Sequence, residues 1–268
     1  MIEKSAKERI WVKIHFLGTC SGTEPMPGMH QCSLVMEIGD AYYWFDAGEG
    51  CGYTAYTLGL DVTRTRALFV SHAHIDHIGG LPHLLFVMDK MNRFGKPMRY
   101  NNALDIFFPD LDCLQAVITV SSYREALGFA ICAHPLRDGL LYEDENVRVT
   151  ALHNTHIQPT EDGGWRAFSY LIEAVGKRIV FSGDVRRPDE LDPFLEEHCD
   201  LLIHETGHHK VKDVCEYAGS KDIARLRFNH HGREIIGDRA AAEALADQYA
   251  QAYGMSIRIC HDGMIEEL

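Results

Sequence analysis

Hydrophobic and polar positions alternate in short runs near the start of the chain. Residues 11–17 end at Gly18, and the runs 33–38 and 41–45 are parted only by Gly39 and Asp40. Period-two runs bounded by turn residues read as strands of a β-meander. Between the first two lies GTCSGTEPMPGMHQC, whose glycines and prolines predict an irregular loop at one end of a sheet. A helix to Leu58 follows Asp46-Ala47-Gly48-Glu49-Gly50, and a buried strand over residues 67–70 runs straight into SHAHIDHIGG. Residues 80–137 read as a helix over 81–91, a less regular segment over 98–108 and a helix around 111–120. The β pattern returns in VRVTAL, FSYLIEA and KRIVFSGD, with further strands over 200–204 and 224–228. A helix over 238–253 carries Ala241, Leu245, Tyr249 and Tyr253 about one turn apart, which predicts that this stripe packs into the core, and a last strand covers 256–260.

Strands and helices alternate irregularly with no Pro/Gly/Ser-rich linker, so residues 1–268 are expected to form one α/β domain, with two face-to-face sheets and outer helices accommodating the pattern. A composition of 46% hydrophobic and 24% charged residues excludes disordered and coiled-coil classes. The longest apolar runs, such as 84–88, fall far short of the roughly 20 residues that cross a bilayer. The N-terminal residues alternate in charge and lack the apolar centre of a signal peptide, which predicts a cytoplasmic protein. Basic residues number 26 and acidic residues 39, and the resulting −13 opposes the electrostatics of phosphate-tracking nucleic-acid binders. Eight cysteines form no CxxC pair and read as reduced, buried small hydrophobes.

Sixteen histidines change the picture, because they cluster. In Ser71-His72-Ala73-His74-Ile75-Asp76-His77 four potential metal ligands follow a buried strand. His72 and His74, two apart in an extended segment, send their imidazoles to one side, while the turn into a helix brings Asp76 and His77 to a neighbouring point. Two ions about 3.5 to 4 Å apart, sharing such a loop, form an arrangement that activates water for hydrolysis. The remaining ligands must come from other strand ends. Asp184 ends an apolar strand and suits a carboxylate bridging both ions; His230 or His231 follows another strand, and His153 or His156 follows VRVTAL.

The HxHxDH loop, Asp46 in WFDAGEG, Asp184 and His230 together resemble the metallo-β-lactamase superfamily of hydrolases. FLGTCSGTEP, FDAGEG, HIDHIGGLP and DLLIHET are most similar to the ribonuclease Z and phosphodiesterase-like branch, and the resemblance runs from FLGTCSG to CHDGMIEEL. It implies a four-layer αββα sandwich with the metals at one edge of the two sheets. It also implies that His72, His74 and a histidine after VRVTAL hold one ion, that Asp76, His77 and His230 hold the second, and that Asp184 bridges them. The register of relatives favours His156 over His153, which then stands behind the ligands. Asp46 orients the ligand loop without being a ligand.

The implied cofactors are two divalent ions, zinc first, with manganese or iron as alternatives. The implied chemistry is attack by a metal-bridging hydroxide, with Asp76 counted among both ligands and catalytic groups. A leaving alkoxide needs a proton, for which His204, Glu205, His208 and His209 are candidates; in ribonuclease Z relatives a glutamate and a histidine of this region are associated with proton delivery. HETGHH departs from that pattern, and no later His-Ser-Thr tripeptide is present. Ribonuclease Z enzymes also carry a long Gly/Pro-rich arm that clasps tRNA, and the stretch from His156 to Asp184 leaves no room for one. The expected substrate is therefore a small phosphodiester or related ester, with nucleic acid disfavoured but not excluded, no membrane partner and a homodimer allowed. The alternative is a tRNA 3′-end endonuclease. A redox role lacks the appended flavodoxin domain, and a non-enzymatic binding protein would have lost ligands that this chain retains.

Overall fold

In the computed structural model, which describes residues 11–123 and 125–268, the first three alternating runs pair as the expected antiparallel meander. They are Val12–Gly18 (β1), Ser33–Ile38 (β2) and Ala41–Phe45 (β3). The charged N-terminal segment over 1–10, from which the absence of a signal peptide was expected, lies outside the described residues. Thr65–Phe69 (β4), Ala103–Phe108 (β5) and Ala130–Pro135 (β6) extend the sheet in parallel. Segment 98–108, expected to be less regular, thus contains a parallel strand.

The second sheet repeats this scheme. Gly139–Glu143 (β7), Val147–His153 (β8), Phe168–Ala174 (β9) and Lys177–Phe181 (β10) pair antiparallel. Leu201–Glu205 (β11), Arg225–Asn229 (β12) and Ser256–Ile259 (β13) then continue in parallel. Ile265–Glu267 (β14) returns to pair with β1, so each sheet has seven strands among the described residues. β6, β7 and β14 were not expected from the sequence. Each is an edge strand; partly exposed β6 and β7 lack the clean in-out alternation that buried strands display.

Helices cover the outer faces. Cys51–Thr57 (α1), the single turn Ile75–Ile78 (α2), Leu81–Arg93 (α3) and Leu111–Ser122 (α4) belong to the first half. Val211–Gly219 (α5), Arg233–Gly237 (α6) and Arg239–Tyr253 (α7) belong to the second. α7 starts where the Asp238 carboxylate accepts from the Ala241 N–H and stops at Gly254, whose φ of 64° suits the left-handed cap. The stripe expected to face the core holds in part: Leu245 and Tyr249 pack, partly buried, beside buried Ala242 and Ala246, whereas Ala241 and Tyr253 are exposed. Small side chains let α7 approach its sheet closely, and the aromatic Tyr253 ring instead lies against Gly219 of α5.

Three cores separate the layers, in the αββα order that the resemblance implied. Between the sheets, Phe45, Phe69 and Phe107 stack at centroid distances of 5.1 and 4.9 Å. The Tyr170 hydroxyl crosses from the second sheet to donate to the Val70 carbonyl at 2.8 Å, which fixes the strand end from which the histidine loop departs. Leu68, Leu84 and Leu114 pack the first sheet against its helices, and Leu202, Val214 and Ala242 do so for the second. No helix of the described residues is long and apolar enough to cross a membrane.

Candidate metal centre

The carboxyl ends of β3, β4, β10, β11 and β12 converge on one edge of the sandwich, the place where parallel strands release loops toward a ligand. Because the sheets share a topology, Asp46 after β3 and Asp184 after β10 occupy corresponding positions. Three of the strand-end residues have left-handed backbones: Asp46 at φ 58°, Gly183 at φ 55° and His230 at φ 48°. Such strain in non-glycine residues persists only where surrounding contacts enforce it. At Gly183 a Cβ would also lie 2.8 Å from the Phe168 carbonyl oxygen and from the Ser71 Cβ, so only glycine permits this approach.

Two sets of donors form. His72 Nε2 lies 2.9 Å from His74 Nδ1, which lies 3.3 Å from His156 Nε2. His77 Nε2 lies 3.2 Å from His230 Nε2 and 3.5 Å from Asp76 Oδ2, and His230 Nε2 lies 3.0 Å from that same oxygen. Asp184 stands between the sets. Its Oδ2 is 3.8 Å from His72 Nε2 and 3.7 Å from His156 Nε2, while its Oδ1 is 3.4 Å from His77 Nε2 and 3.3 Å from His230 Nδ1.

The donor chemistry fits a divalent metal. Opposed imidazole nitrogens at these distances need a shared proton or a cation between them. Asp184 Oδ1 is buried with no hydrogen-bond partner, which is costly unless an ion satisfies it. The supporting hydrogen bonds also leave lone pairs facing inward. Asp46, fully buried, accepts from the Ser71 N–H at 2.6 Å, the Ser71 hydroxyl at 2.8 Å and His77 Nδ1 at 2.7 Å, so the His77 proton sits on Nδ1 and Nε2 stays free.

In the metal-free chain the titrations are displaced in opposite directions. Burial opposes a charge on His77, but the Asp184 and Asp46 carboxylates outweigh it and hold this imidazole well above its usual range. Burial likewise opposes charge on His230, yet Asp184, Asp76 and Glu205 raise it to about 9. Burial, aided by His77 and His156, pushes His72 well below its usual range.

A cavity of about 340 Å³ opens over these donors. Asp76, Asp184 and His230 line it together with Ser21, Gly22 and Thr23 of the β1–β2 loop, Gly207, His208 and the start of α6. The four proton-donor candidates separate here. Buried Glu205 accepts from the His208 N–H at 2.9 Å and from His208 Nδ1 at 3.1 Å, which places the His208 ring on the cavity wall. That hydrogen bond to the carboxylate raises the His208 pKa against the effect of burial. His204 and His209 do not line the cavity. His204 is enclosed, donates from Nδ1 to the Glu205 carbonyl and is pushed down to about 4 by burial. His209 donates from Nε2 to the Val185 carbonyl at 3.0 Å.

His153 also stands apart, bonded through Nδ1 to Asp138 and stacked on Trp165 at 3.9 Å, whereas His156 faces His72 and His74. His231 turns inward and donates to the Cys260 carbonyl at 2.9 Å. Ser71, Glu190 and Arg233 escaped the sequence reading. Glu190 accepts from Thr155 N at 3.0 Å and from Arg186 N at 2.9 Å, tying the His156 loop to the segment after Asp184. Only the placement of Arg233 three residues beyond His230 offered a signal.

Residues 12–218 match the family model described as anti-Pycsar protein Apyc1. A ribonuclease Z of Methanothermobacter thermautotrophicus is 25% identical over 275 residues, covering 82% of this chain and 86% of that protein. A ribonuclease Z of Synechococcus sp. is 29% identical over 191 residues, covering 68% of this chain but only 55% of that protein, so the match spans about half of the relative's length. Among solved structures, the metallo-β-lactamase fold protein YhfI from Bacillus subtilis superposes with a TM-score of 0.73 at 18% identity, covering 96% of this chain and 100% of that one. With its αββα layers and its histidine- and aspartate-lined edge, the chain has the metallo-β-lactamase fold and belongs to the family described as anti-Pycsar protein Apyc1.

Proposed function

We propose that this chain is a dinuclear metal-dependent hydrolase of small phosphodiesters. The observation that carries this reading is the division of Asp184, whose two oxygens face two separate sets of donors. His72, His74 and His156 would hold one divalent cation, and Asp76, His77 and His230 the other, with Asp184 shared. Zinc suits these imidazoles and carboxylates, as do manganese and iron. Two such cations, when bound, supply a water of lowered pKa and stabilise negative charge on the reacting phosphate.

The chain's own residues do the rest. Asp46 fixes the His77 tautomer and so keeps the ligand loop in one conformation. Glu205 engages His208 Nδ1, leaving Nε2 as the nitrogen available at the cavity. The same contact favours the protonated ring, and His208 donates that proton to the leaving oxygen. The cavity volume of about 340 Å³ admits a small molecule.

A second reading, a tRNA 3′-end endonuclease, is favoured by the ribonuclease Z relatives. The net charge of −13 and the short β8–β9 connection over 154–167 favour the small substrate. The test is a direct comparison on manganese- or zinc-loaded protein. Turnover of a chromogenic nitrophenyl phosphodiester without specific cleavage of precursor tRNA supports the proposal. Clean 3′-end cleavage at moderate salt promotes the second reading.

A further inference from the structure

Arg233 is not used by the hydrolytic residues, yet it is the one lysine or arginine lining the cavity among the described residues. The other charged side chains there include the Asp76 and Asp184 carboxylates, which repel an anionic diester wherever cations do not neutralise them. The Arg233 guanidinium is held by Glu24 of the β1–β2 loop, each terminal nitrogen meeting one carboxylate oxygen, with Nη1 at 2.8 Å from Oε1. This fork-to-fork pair joins two segments whose neighbouring residues, Thr23 and Gly232, both line the cavity.

Three properties suit this pair to exchange. Its members are 66% and 56% exposed, and an ion pair in that setting contributes only about 0–1 kcal/mol. A phosphate presents two oxygens to a guanidinium in much the same planar geometry as the carboxylate now does. Glu24 also borders an adjoining cavity of about 310 Å³, lined in part by Pro25, Met26 and Met29, so its released side chain has space to move.

We propose that Arg233 binds the phosphate anion of the substrate and that Glu24 is the placeholder which this anion displaces. The assignment rests on the phosphodiesterase reading for its substrate class. The metal donors grip the reacting centre; Arg233 adds a two-pronged contact that selects a charged ester over a neutral one.

The probe is inorganic phosphate, titrated calorimetrically into metal-loaded wild type, Arg233→Gln and Glu24→Gln, with metal content measured on each. Loss of charge-assisted hydrogen bonds should weaken phosphate binding about tenfold or more in Arg233→Gln and raise KM for the nitrophenyl diester by a similar factor, with kcat less affected. Removing the competing carboxylate should tighten phosphate binding by about threefold in Glu24→Gln. A purely structural clasp predicts the opposite for Glu24→Gln: both variants would weaken binding together. Unchanged phosphate affinity in Arg233→Gln, or weaker affinity in Glu24→Gln, overturns the assignment. Phosphate binding that depends on Arg233 in a wild type that hydrolyses no diester would sink the phosphodiesterase reading and leave the anion site standing. Wild-type KM for the diester in Arg233→Gln would do the reverse.

Discussion

Replacing Asp46 by Asn exchanges one carboxylate oxygen for an NH2 and should disable half of the metal centre. Asp46 sits at φ 58°, a conformation asparagine adopts as readily as aspartate, so the backbone is spared. The side chain is fully buried and receives three donors, Ser71 N–H on Oδ1 and both the Ser71 hydroxyl and His77 Nδ1 on Oδ2. An amide offers one oxygen and one NH2. If the NH2 faces His77, the imidazole must move its proton to Nε2, the nitrogen that points toward His230 and Asp184. If it faces Ser71, a backbone N–H is left opposite another donor and cannot adapt.

Leaving one buried donor unsatisfied costs about 1–3 kcal/mol, so metal-free Asp46→Asn should lose about that much folding stability in urea titrations with chelator present. Losing a hydrogen bond that orients a ligand typically lowers metal affinity about 10–100-fold, or about 1.4–2.7 kcal/mol. Competition with a chromogenic chelator measures this directly. Zinc affinity within about twofold of wild type at both sites would refute the tautomer argument, because the amide would then be tolerated where only an acceptor fits.

Asp184→Ala should impair both metal sites together, since one carboxylate faces both donor sets; elemental analysis showing one site fully retained would contradict sharing. The stability of the metal-free chain should peak near pH 6.5, the ordinary histidine value. His77, held well above that value, and His230, at about 9, contribute stability that is complete below 6.5 and is lost as pH rises through their folded pKa values. His204 and His231, pushed by burial down to about 4 and about 3, contribute stability that is lost as pH falls below 6.5. Melting curves in chelator across pH 5 to 10 check both arms, and stability still rising toward about pH 9 would contradict the first. Finally, Glu266→Ala should destabilise the fold by about 3–5 kcal/mol in urea while the metal-loaded activity persists under native conditions. Arg227 of β12 is buried and makes two 2.8 Å bonds to this carboxylate on β14, so the substitution strands a charge between the two sheets.

The histidine loop was legible because covalent spacing decides it. Four donors within six residues after a buried strand have few ways to avoid one another, and strand-end Asp46 and Asp184 inherit their place from the apolar runs before them. Strands buried on both faces are legible for a related reason: their own side chains carry the signal. Edge strands β6 and β7 carry little of it because they are partly exposed, and β14 is only three residues long and pairs with β1 from the other end of the chain. The face of α7 was legible only in part: Leu245 and Tyr249 pack as expected, but Ala241 and Ala242 differ only in which one meets the sheet, a matter of how the helix is rolled by its packing.

Composition at the site is local, but convergence is not. His153 and His156 are equivalent by chemistry; a hydrogen bond to Asp138 and stacking on Trp165 draw one away while the other reaches His74. A bond to the Val185 carbonyl likewise turns His209 away while His208 lines the cavity. Arg233 and Glu24 lie 209 residues apart, and neither predicts the other. The sequence by itself determined which chemistry the chain carries, because ligand type and spacing are covalent facts. Which of several like residues takes part, and what faces the substrate, only the tertiary structure decided, because those choices depend on distances set by packing between segments that the sequence keeps far apart.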